Sequence, residues 1–286
     1  MNGIINIYKP SGMSSNFVLS LLKRNCNINK LGHLGTLDPL ATGVLSVMVG
    51  KGTKLFDFYL GKTKVYRAIF TFSLETDTLD SEGKIIKQVD YVPTIEEIEN
   101  ELHNFCGKIN QIPPKFSAKK VNGQKAYELS RKGEEVELKG KEVEIFYFKL
   151  ISQINKNSFL FEIKCSSGTY IRSLARDLGQ KLNSCAFMSA LIRIESGEFN
   201  ILSTTYVNEL TKDNYFDKII KLSNLLDNQE KLVLDKQFYK KVVNGVKIDF
   251  SHCDCKNLVV YCKNELIGIG EIKDKVLRIK TNLQVR

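Results

Sequence analysis

The sequence predicts an α+β protein with a mixed, mostly antiparallel sheet flanked by helices, and three patterns support that class. Strand-period and helix-period stretches are interleaved, but without a strict β-α-β alternation. Three of the strand stretches, 63–74, 142–151 and 158–165, alternate in character from residue to residue. Beyond residue 228 the chain changes to short strands joined by tight polar turns, which predicts a small β-rich, barrel-like module appended to the main domain.

The elements follow in order. Ile4 to Tyr8 reads as a short strand, Lys9-Pro10-Ser11-Gly12 as a turn, and Ser14, Ser15 and Asn16 as caps of a helix whose apolar face is Phe17, Val18, Leu21 and Leu22. A glycine-punctuated loop spans 32–43, and the apolar run from Val44 to Val49 fits a buried strand. In the next strand Tyr66, Ala68, Phe70, Phe72 and Leu74 share one face, while Val65, Arg67, Ile69 and Thr71 share the other. Asp80-Ser81-Glu82-Gly83 reads as a turn. Thr94 and Glu97 form a capping box for a helix with Ile95, Ile98, Leu102 and Phe105 inward, stopped by Gly107; His103 on that helix reads as surface. The stretches 142–151 and 158–165 pair as a hairpin. A helix then starts near Tyr170, with Ile171, Leu174, Ala175 and Leu178 inward and Gly179 past its end. Asp227 to Lys231 is a polar joint. It divides the chain into a domain over 1–228 and a module over 229–286, whose one helix turns Phe238 and Val242 inward.

Composition narrows the function classes. Hydrophobic residues at 43% and charged residues at 26% describe a soluble globular chain, and no apolar run approaches the ~20 residues of a bilayer span. The N-terminus carries no basic-then-apolar leader, so the expected compartment is the cytoplasm and no membrane role is expected. Lys and Arg exceed Asp and Glu by 42 to 32, and a net charge of +10 favours a polyanionic partner, nucleic acid first. Seven scattered cysteines read as free thiols. His252-Cys253-Asp254-Cys255 lacks the second cysteine pair of a zinc finger, so no metal site is expected.

The segment that points to chemistry runs from Gly32 to Leu45, Gly-His-Leu-Gly-Thr-Leu-Asp-Pro-Leu-Ala-Thr-Gly-Val-Leu. Its single acid, Asp38, precedes a proline that stiffens the loop, and glycines at 32, 35 and 43 allow sharp turns and close approach of a bulky ligand. A carboxylate on a rigid loop between two core elements is well placed as a nucleophile or base. An isolated Asp-Pro, by contrast, is most often a turn.

The complete string resembles the catalytic motif of the TruB-type tRNA pseudouridine-55 synthases. Lys9 to Ser15 resembles the family's Lys-Pro-x-Gly-x-(Ser/Thr)-Ser element, Lys64-Val65-Tyr66-Arg67 its Lys-x-Tyr segment, and Ser167 to Leu174 its Gly-Thr-Tyr-Ile-Arg segment. Order and spacing agree from residue 3 to about 200, and the tail is weakly similar to a PUA domain. The resemblance implies the pseudouridine synthase fold with a C-terminal PUA-like domain. It also implies isomerisation of a T-loop uridine to pseudouridine without metal or organic cofactor.

By the same resemblance Asp38 is the catalytic aspartate, acting at uracil C6, at ribose C1′ or by proton abstraction. Tyr66 stacks on the target base and is placed to handle a proton, and Arg172 pairs with the carboxylate. His33 contacts the RNA beside the everted base, Tyr170 and Leu191 line the uracil pocket, and Lys9 packs near the site. Taken alone, Tyr66 reads as core beside Phe70 and Phe72, Tyr170 and Leu191 as packing, and His33 as a turn residue. Only their joint order around Asp38 raises them as a set.

Two chemical expectations go with these roles. A guanidinium in contact with Asp38 would hold its carboxyl below the ordinary aspartate value. Arg172, in the first turn of its helix, is disfavoured there by the dipole and so implies a specific partner. A basic, aromatic stretch over 113–138, with Lys115, Phe116, Lys119, Lys120, Lys125, Tyr127, Arg131 and Lys132, suits an RNA-gripping flap or, taken alone, a solvated insertion; the resemblance implies that it is the family's mobile thumb, expected to be poorly ordered without RNA. The expected partner is the T-arm of tRNA, bound by a monomer needing no guide RNA or protein partner. The rival readings are a guide-RNA-dependent synthase of the same superfamily, whose partner-binding extensions are not expected here, and a non-catalytic tRNA chaperone.

Overall fold

The computed structural model describes residues 2–117, 120–121, 124–125 and 138–284. Most of the expected thumb, including Lys119, Tyr127, Arg131 and Lys132, lies outside the described residues.

The main sheet is built from β1 (Gly3–Lys9), β2 (Leu31–His33), β3 (Thr42–Val49), β4 (Lys64–Phe72), β5 (Gly107–Gln111), β6 (Lys141–Asn155), β7 (Ser158–Cys165), β8 (Ala186–Ser196) and β9 (Thr205–Tyr206). Its order is β9-β1-β3-β8-β4-β7-β6-β5, with β2 paired to β3. Pairing is antiparallel except between β1 and β9 and between β3 and β8, so the sheet is mixed and mostly antiparallel, as expected. The parallel contact sets Arg193 opposite Gly43, whose φ of 100° brings its backbone so close that an added Cβ would lie 2.3 Å from the Arg193 oxygen.

The near-continuous apolar runs of β1 and β3 follow from burial on both faces. Ile5, Ile7, Leu45, Val47 and Val49 pack against Val18 and Leu22 of helix α1 (Ser15–Cys26), while Ile4, Val44 and Met48 face the opposite way. On that opposite face they meet Leu55, Tyr59 and three residues of the C-terminal module, Val259, Ile269 and Leu283. The module is therefore fastened through shared core. In the middle of the sheet Tyr66, Ala68, Phe70 and Phe72 pack with Phe159, Phe161 and Ile163. They are covered by helix α2 (Ile95–Leu102) and helix α3 (Ile171–Lys181), whose Ile171, Leu174, Ala175 and Leu178 point inward.

Several local expectations hold in detail. Ser14 caps α1 by accepting from the Phe17 N–H, and Thr94 and Glu97 form the full capping box. Others change. Phe17 is half exposed and Leu21 only partly buried, because the buried line of α1 runs through Ser15, Val18, Leu22 and Cys26. Ile95 is likewise exposed. Leu74 falls outside β4, since Ser73 adopts φ 73° and breaks the strand. Gly179 does not end its helix, which continues to Lys181. An added Cβ there would lie 2.6 Å from the Ala186 nitrogen, so this glycine lets α3 pack against the start of β8.

The C-terminal module is a five-stranded sheet of β10 (Lys231–Leu234), β11 (Ile248–Asp249), β12 (Cys255–Cys262), β13 (Glu265–Lys273) and β14 (Val276–Asn282), in the order β10-β12-β13-β14-β11. Its turns at Lys263-Asn264 and Asp274-Lys275 place both central residues at positive φ, the mirror-image geometry that matches hairpin twist. The short helix α4 (Tyr239–Val243) buries Val242 against the sheet, with Phe238 packed alongside. This is the strand-rich C-terminal domain the sequence predicts. Among the described residues no helix is long and apolar enough to cross a membrane.

Candidate active site

Asp38 sits on the loop between β2 and β3, and the turn after β1 holds that loop by its backbone. Ser15 Oγ accepts the Leu37 N–H at 2.9 Å and donates to the Leu37 carbonyl at 3.0 Å. The Gly12 N–H reaches the Pro39 carbonyl at 2.9 Å, and Ser11 Oγ reaches the Leu40 carbonyl at 3.0 Å. Lys9, fully buried, donates from Nζ to the carbonyls of Pro10, Met13 and Pro39 at 2.8, 2.6 and 3.1 Å. Burial pushes its ammonium down to about 8, with Asp38 opposing that fall. The Lys9-to-Ser15 element is thus a bracket around the acid-bearing loop, its side chains spent on backbone groups of the loop and of the turn itself.

Arg172 projects from the first turn of α3 into this loop, and its guanidinium is filled on every side. Nε meets Asp38 Oδ2 at 3.0 Å, one terminal nitrogen binds the Thr78 carbonyl at 3.0 Å and Asp80 Oδ2 at 3.2 Å, and the other binds the Phe116 carbonyl at 3.1 Å. The partner inferred from a cation at a helix N-terminus is present. Asp80, read from sequence as part of a turn, proves to be a buried carboxylate. It accepts from Thr78 Oγ1 at 2.5 Å and from the Glu82 N–H at 3.1 Å, so two carboxylates share one guanidinium.

The Asp38 carboxyl does not follow the expected direction. Burial pushes it above the ordinary aspartate value, and Asp80 adds to that rise. Arg172, by charge and hydrogen bond, and Lys9 pull it back without reversing it. The side chain keeps 34% of its surface open to the cleft, while Arg172 beside it keeps 7%. This acid is accessible to a ligand although most of its side chain is covered by protein.

Asp38 stands between two adjoining cavities of about 350 and 720 Å³, both bordered by His33, Thr36, Leu37, Ser117 and Arg172. The smaller one brings together Asp38, Tyr66, Arg172, His33, Tyr170 and Leu191, residues 158 positions apart at the extremes, since His33 and Leu191 both line it. Tyr66 is buried, and burial raises its phenol so that it stays protonated at neutral pH. His33 is pushed below the ordinary imidazole value by burial and then by the Arg193 charge, and its Nδ1 is buried with no partner among the described residues. Lys9 does not join this wall; it lies behind the loop.

Residues 23–171 match the family model described as TruB family pseudouridylate synthase (N terminal domain). The chain belongs to the TruB family. It is 39% identical over 277 residues to the tRNA pseudouridine synthase B of Clostridium tetani, covering 95% of this chain and 96% of that protein. It is also 39% identical over 286 residues to the protein of the same name from Clostridium novyi, covering 98% and 99%. Among solved structures, an H/ACA RNP bound to a substrate RNA containing 2′-deoxyuridine matches with a TM-score of 0.73 at 21% identity, covering 99% of this chain and 86% of that one. A Cbf5-Nop10-Gar1 complex matches with a TM-score of 0.71 at 23% identity, covering 99% and 81%. At these identities the structures show the fold, which is the pseudouridine synthase fold the motifs imply.

Within this TruB-family cleft three further residues emerge that sequence patterns did not single out. Asp80 is one. Gln111, at the end of β5, is buried and clamps the main chain of Tyr170, accepting its N–H at 2.8 Å and donating to its carbonyl at 3.1 Å. Arg193 is the third, 1% exposed in the middle of β8. Its guanidinium binds the carbonyls of Val44, Gly35 and Thr36 at 2.7, 3.1 and 3.4 Å, and its charge partly offsets the rise that burial imposes on the Tyr66 phenol. The bracket on one side of the Asp38 loop is matched by this arginine on the other.

Replacing Arg193 by methionine keeps the volume and removes every donor. We expect Arg193→Met to lower unfolding free energy by about 2–4 kcal/mol, because the carbonyls it serves are left buried and unpaired. Urea denaturation with the unfolding slope unchanged is the check. His103 is exposed as expected, and the His252–Cys255 cluster lies in the C-terminal module. Among the described residues no group of three His, Cys, Asp or Glu is placed to hold a metal.

Proposed function

We propose that this chain isomerises uridine 55 in the T-arm of tRNA to pseudouridine, with Asp38 as the catalytic carboxylate. The observation that carries the proposal is the contact of Asp38 with a guanidinium that reaches the loop from a separate helix, in the wall of a cavity of about 350 Å³ that has room for an everted base. The relatives named tRNA pseudouridine synthase B, at 39% identity over nearly the whole chain, support tRNA as substrate. Those relatives are named as tRNA enzymes, which supports a stand-alone enzyme over a guide-dependent one.

The chemistry fits the arrangement. A base inside a stacked loop must be everted before its glycosidic bond can be reached, at a cost of a few kcal/mol. Stacking on Tyr66 is worth about 1–3 kcal/mol and offsets much of that cost, with Leu191 and Tyr170 enclosing the ring. Arg172 keeps Asp38 oriented and favours its ionised form, which attack or proton abstraction requires. Whether the carboxylate acts at uracil C6, at C1′ or on a ribose proton, the base leaves C1′ with the electron pair of the N1–C1′ bond. It then turns within the cavity and is rejoined through C5. No atom is gained or lost, so no redox or group-donor cofactor is needed.

The domain over 1–228 carries this site, and the module over 229–286 serves as a PUA-like RNA-binding domain. Its packing against the main core would hold it in a set position beside the cleft. A bacterial-type tRNA enzyme of this kind works in the cytoplasm. Incubation with an unmodified tRNA transcript, without guide RNA, should give one pseudouridine, in the T-loop, when modified positions are mapped by primer extension. A transcript left unmodified, or modified only when a guide RNA is added, would overturn the proposal.

A further inference from the structure

The residues assigned so far leave one charged group of the cavity without a role. Lys64 opens β4, two positions before Tyr66 and therefore on the same strand face, and it lines the same cavity. The residue is 5% exposed. Its ammonium has three donors, and among the described residues one acceptor is placed for them, the Lys62 carbonyl at 2.6 Å.

No carboxylate among the described residues pairs with Lys64. Its cross-strand neighbour is Cys165, a thiol that burial holds at about 11 and therefore uncharged at neutral pH. The nearest charge acting on it is Arg193, which has the same sign; both approach Gly35, Arg193 through its guanidinium and Lys64 through Cε, near 3.7 and 3.8 Å from where a Cβ would stand. Burial, then Arg193, brings the Lys64 ammonium down to about 8, so it remains mainly protonated at pH 7. A buried cation without a counter-ion is costly to keep, and the cost is explained if an anion enters the cavity during turnover.

The reaction produces such an anion. When the N1–C1′ bond breaks, its electron pair stays on the base, and the negative charge spreads from N1 over O2 and O4. We propose that Lys64 is a further catalytic residue of this cavity, its ammonium stabilising the negative charge on the detached uracil by hydrogen bonding without giving up its proton. The inference rests on the reading of the chain as a uridine-isomerising enzyme. In the second half, a ring electron pair forms the C5–C1′ bond while Asp38 leaves C1′ or C6 with the C–O electron pair, or returns the ribose proton it took; the C5 proton then leaves to water and N1 takes one up from water. The base regains neutrality and Lys64 is unchanged. Preorganised positive charge in a water-poor site is effective for this task because it needs no rearrangement as the charge develops.

The test compares leaving groups. A tRNA with 5-fluorouridine at the target position detaches a base whose anion the fluorine already stabilises. Loss of the glycosidic bond is followed in single turnovers at saturating tRNA, together with tRNA Kd and Tm. Lys64→Met should slow uridine cleavage by about 10²–10³-fold with Kd within about threefold of wild type. It should slow 5-fluorouridine cleavage by at least about tenfold less than uridine. Lys64→Arg, which keeps the charge, should recover part of the uridine rate and provides the same comparison if the methionine variant fails to fold.

Equal slowing of both substrates would mean a packing role and overturn the inference. So would weakened binding with an unchanged rate at saturation, which would make Lys64 a phosphate grip. A wild-type protein that leaves both tRNAs unchanged would instead overturn the reading on which the inference rests.

Discussion

Asp38→Asn should lower the single-turnover rate of pseudouridine formation by about 10⁴-fold or more while tRNA binding stays within about threefold of wild type. The amide keeps the size and the oxygen that faces Arg172, so it preserves the cleft and removes only the charge and the nucleophilic or basic oxygen. Stability should move the other way. A carboxyl whose folded pKa lies above its unfolded value burdens the fold wherever it is ionised, and the burden is relieved as the pH falls through that raised value. The burden sets in above the ordinary aspartate value and is complete once the pH exceeds the raised one. Thermal unfolding should therefore place Tm of the variant at or above wild type, the trade expected where an active site is held at the expense of stability. Pseudouridine formation surviving in the variant would remove Asp38 from the mechanism.

Arg172→Gln has the second largest expected effect, and it acts on rate and stability together. The variant leaves Asp38 and Asp80 beside one another without the cation they share. Breaking a buried pair on one side costs about 3–5 kcal/mol, and that loss should appear in urea unfolding at pH 7. Catalysis should fall by about 10²–10³-fold, the range seen when one preorganised donor is removed from a reacting centre.

The pH profile separates these roles. Rate should fall toward acid as Asp38 protonates, with a wild-type limb above the ordinary aspartate value because burial outweighs Arg172. Loss of the guanidinium removes the main influence favouring the carboxylate, so the limb should move to still higher pH. Arg172→Lys should recover little. An ammonium is a point donor, and it cannot serve a carboxylate on one edge and two carbonyls and a second carboxylate on the others. An acid limb unmoved by Arg172→Gln would show that the pair contributes nothing to the ionisation of Asp38.

The Asp38 loop was legible because its information is contiguous. A run of glycines around one Asp-Pro states both a rigid turn and a charged group, and the surrounding elements stand at helical or strand period. Asp80, Gln111 and Arg193 were not legible, for a common reason. Each acts through a partner 59 to 158 positions away in the chain, as in Gln111 with Tyr170 and Arg193 with Gly35, and nothing local marks it. Asp80 sits in a sequence that any exposed turn could have, and Arg193 sits among apolar residues of a strand, where alternation alone would place it at a surface.

The smaller differences share a cause. Helical period identifies the side of α1 that faces inward but not the width of the groove beneath it, which is why Phe17 is half exposed. Glycine late in a helix commonly marks its end, yet Gly179 is required by the approach of Ala186. For Asp38 the family resemblance names the charge partner, whereas desolvation depends on how closely the finished fold surrounds the carboxylate, and burial prevails.

A crystal structure of the Asp38→Asn protein bound to a T-arm stem-loop tests the whole scheme most directly. The target uridine should lie outside its stack, its ring against Tyr66 and Leu191, with C6 or the ribose within about 3–3.5 Å of the residue-38 side chain. A uridine still stacked in its loop, or RNA bound along another face with this cavity unfilled, would contradict the assignment.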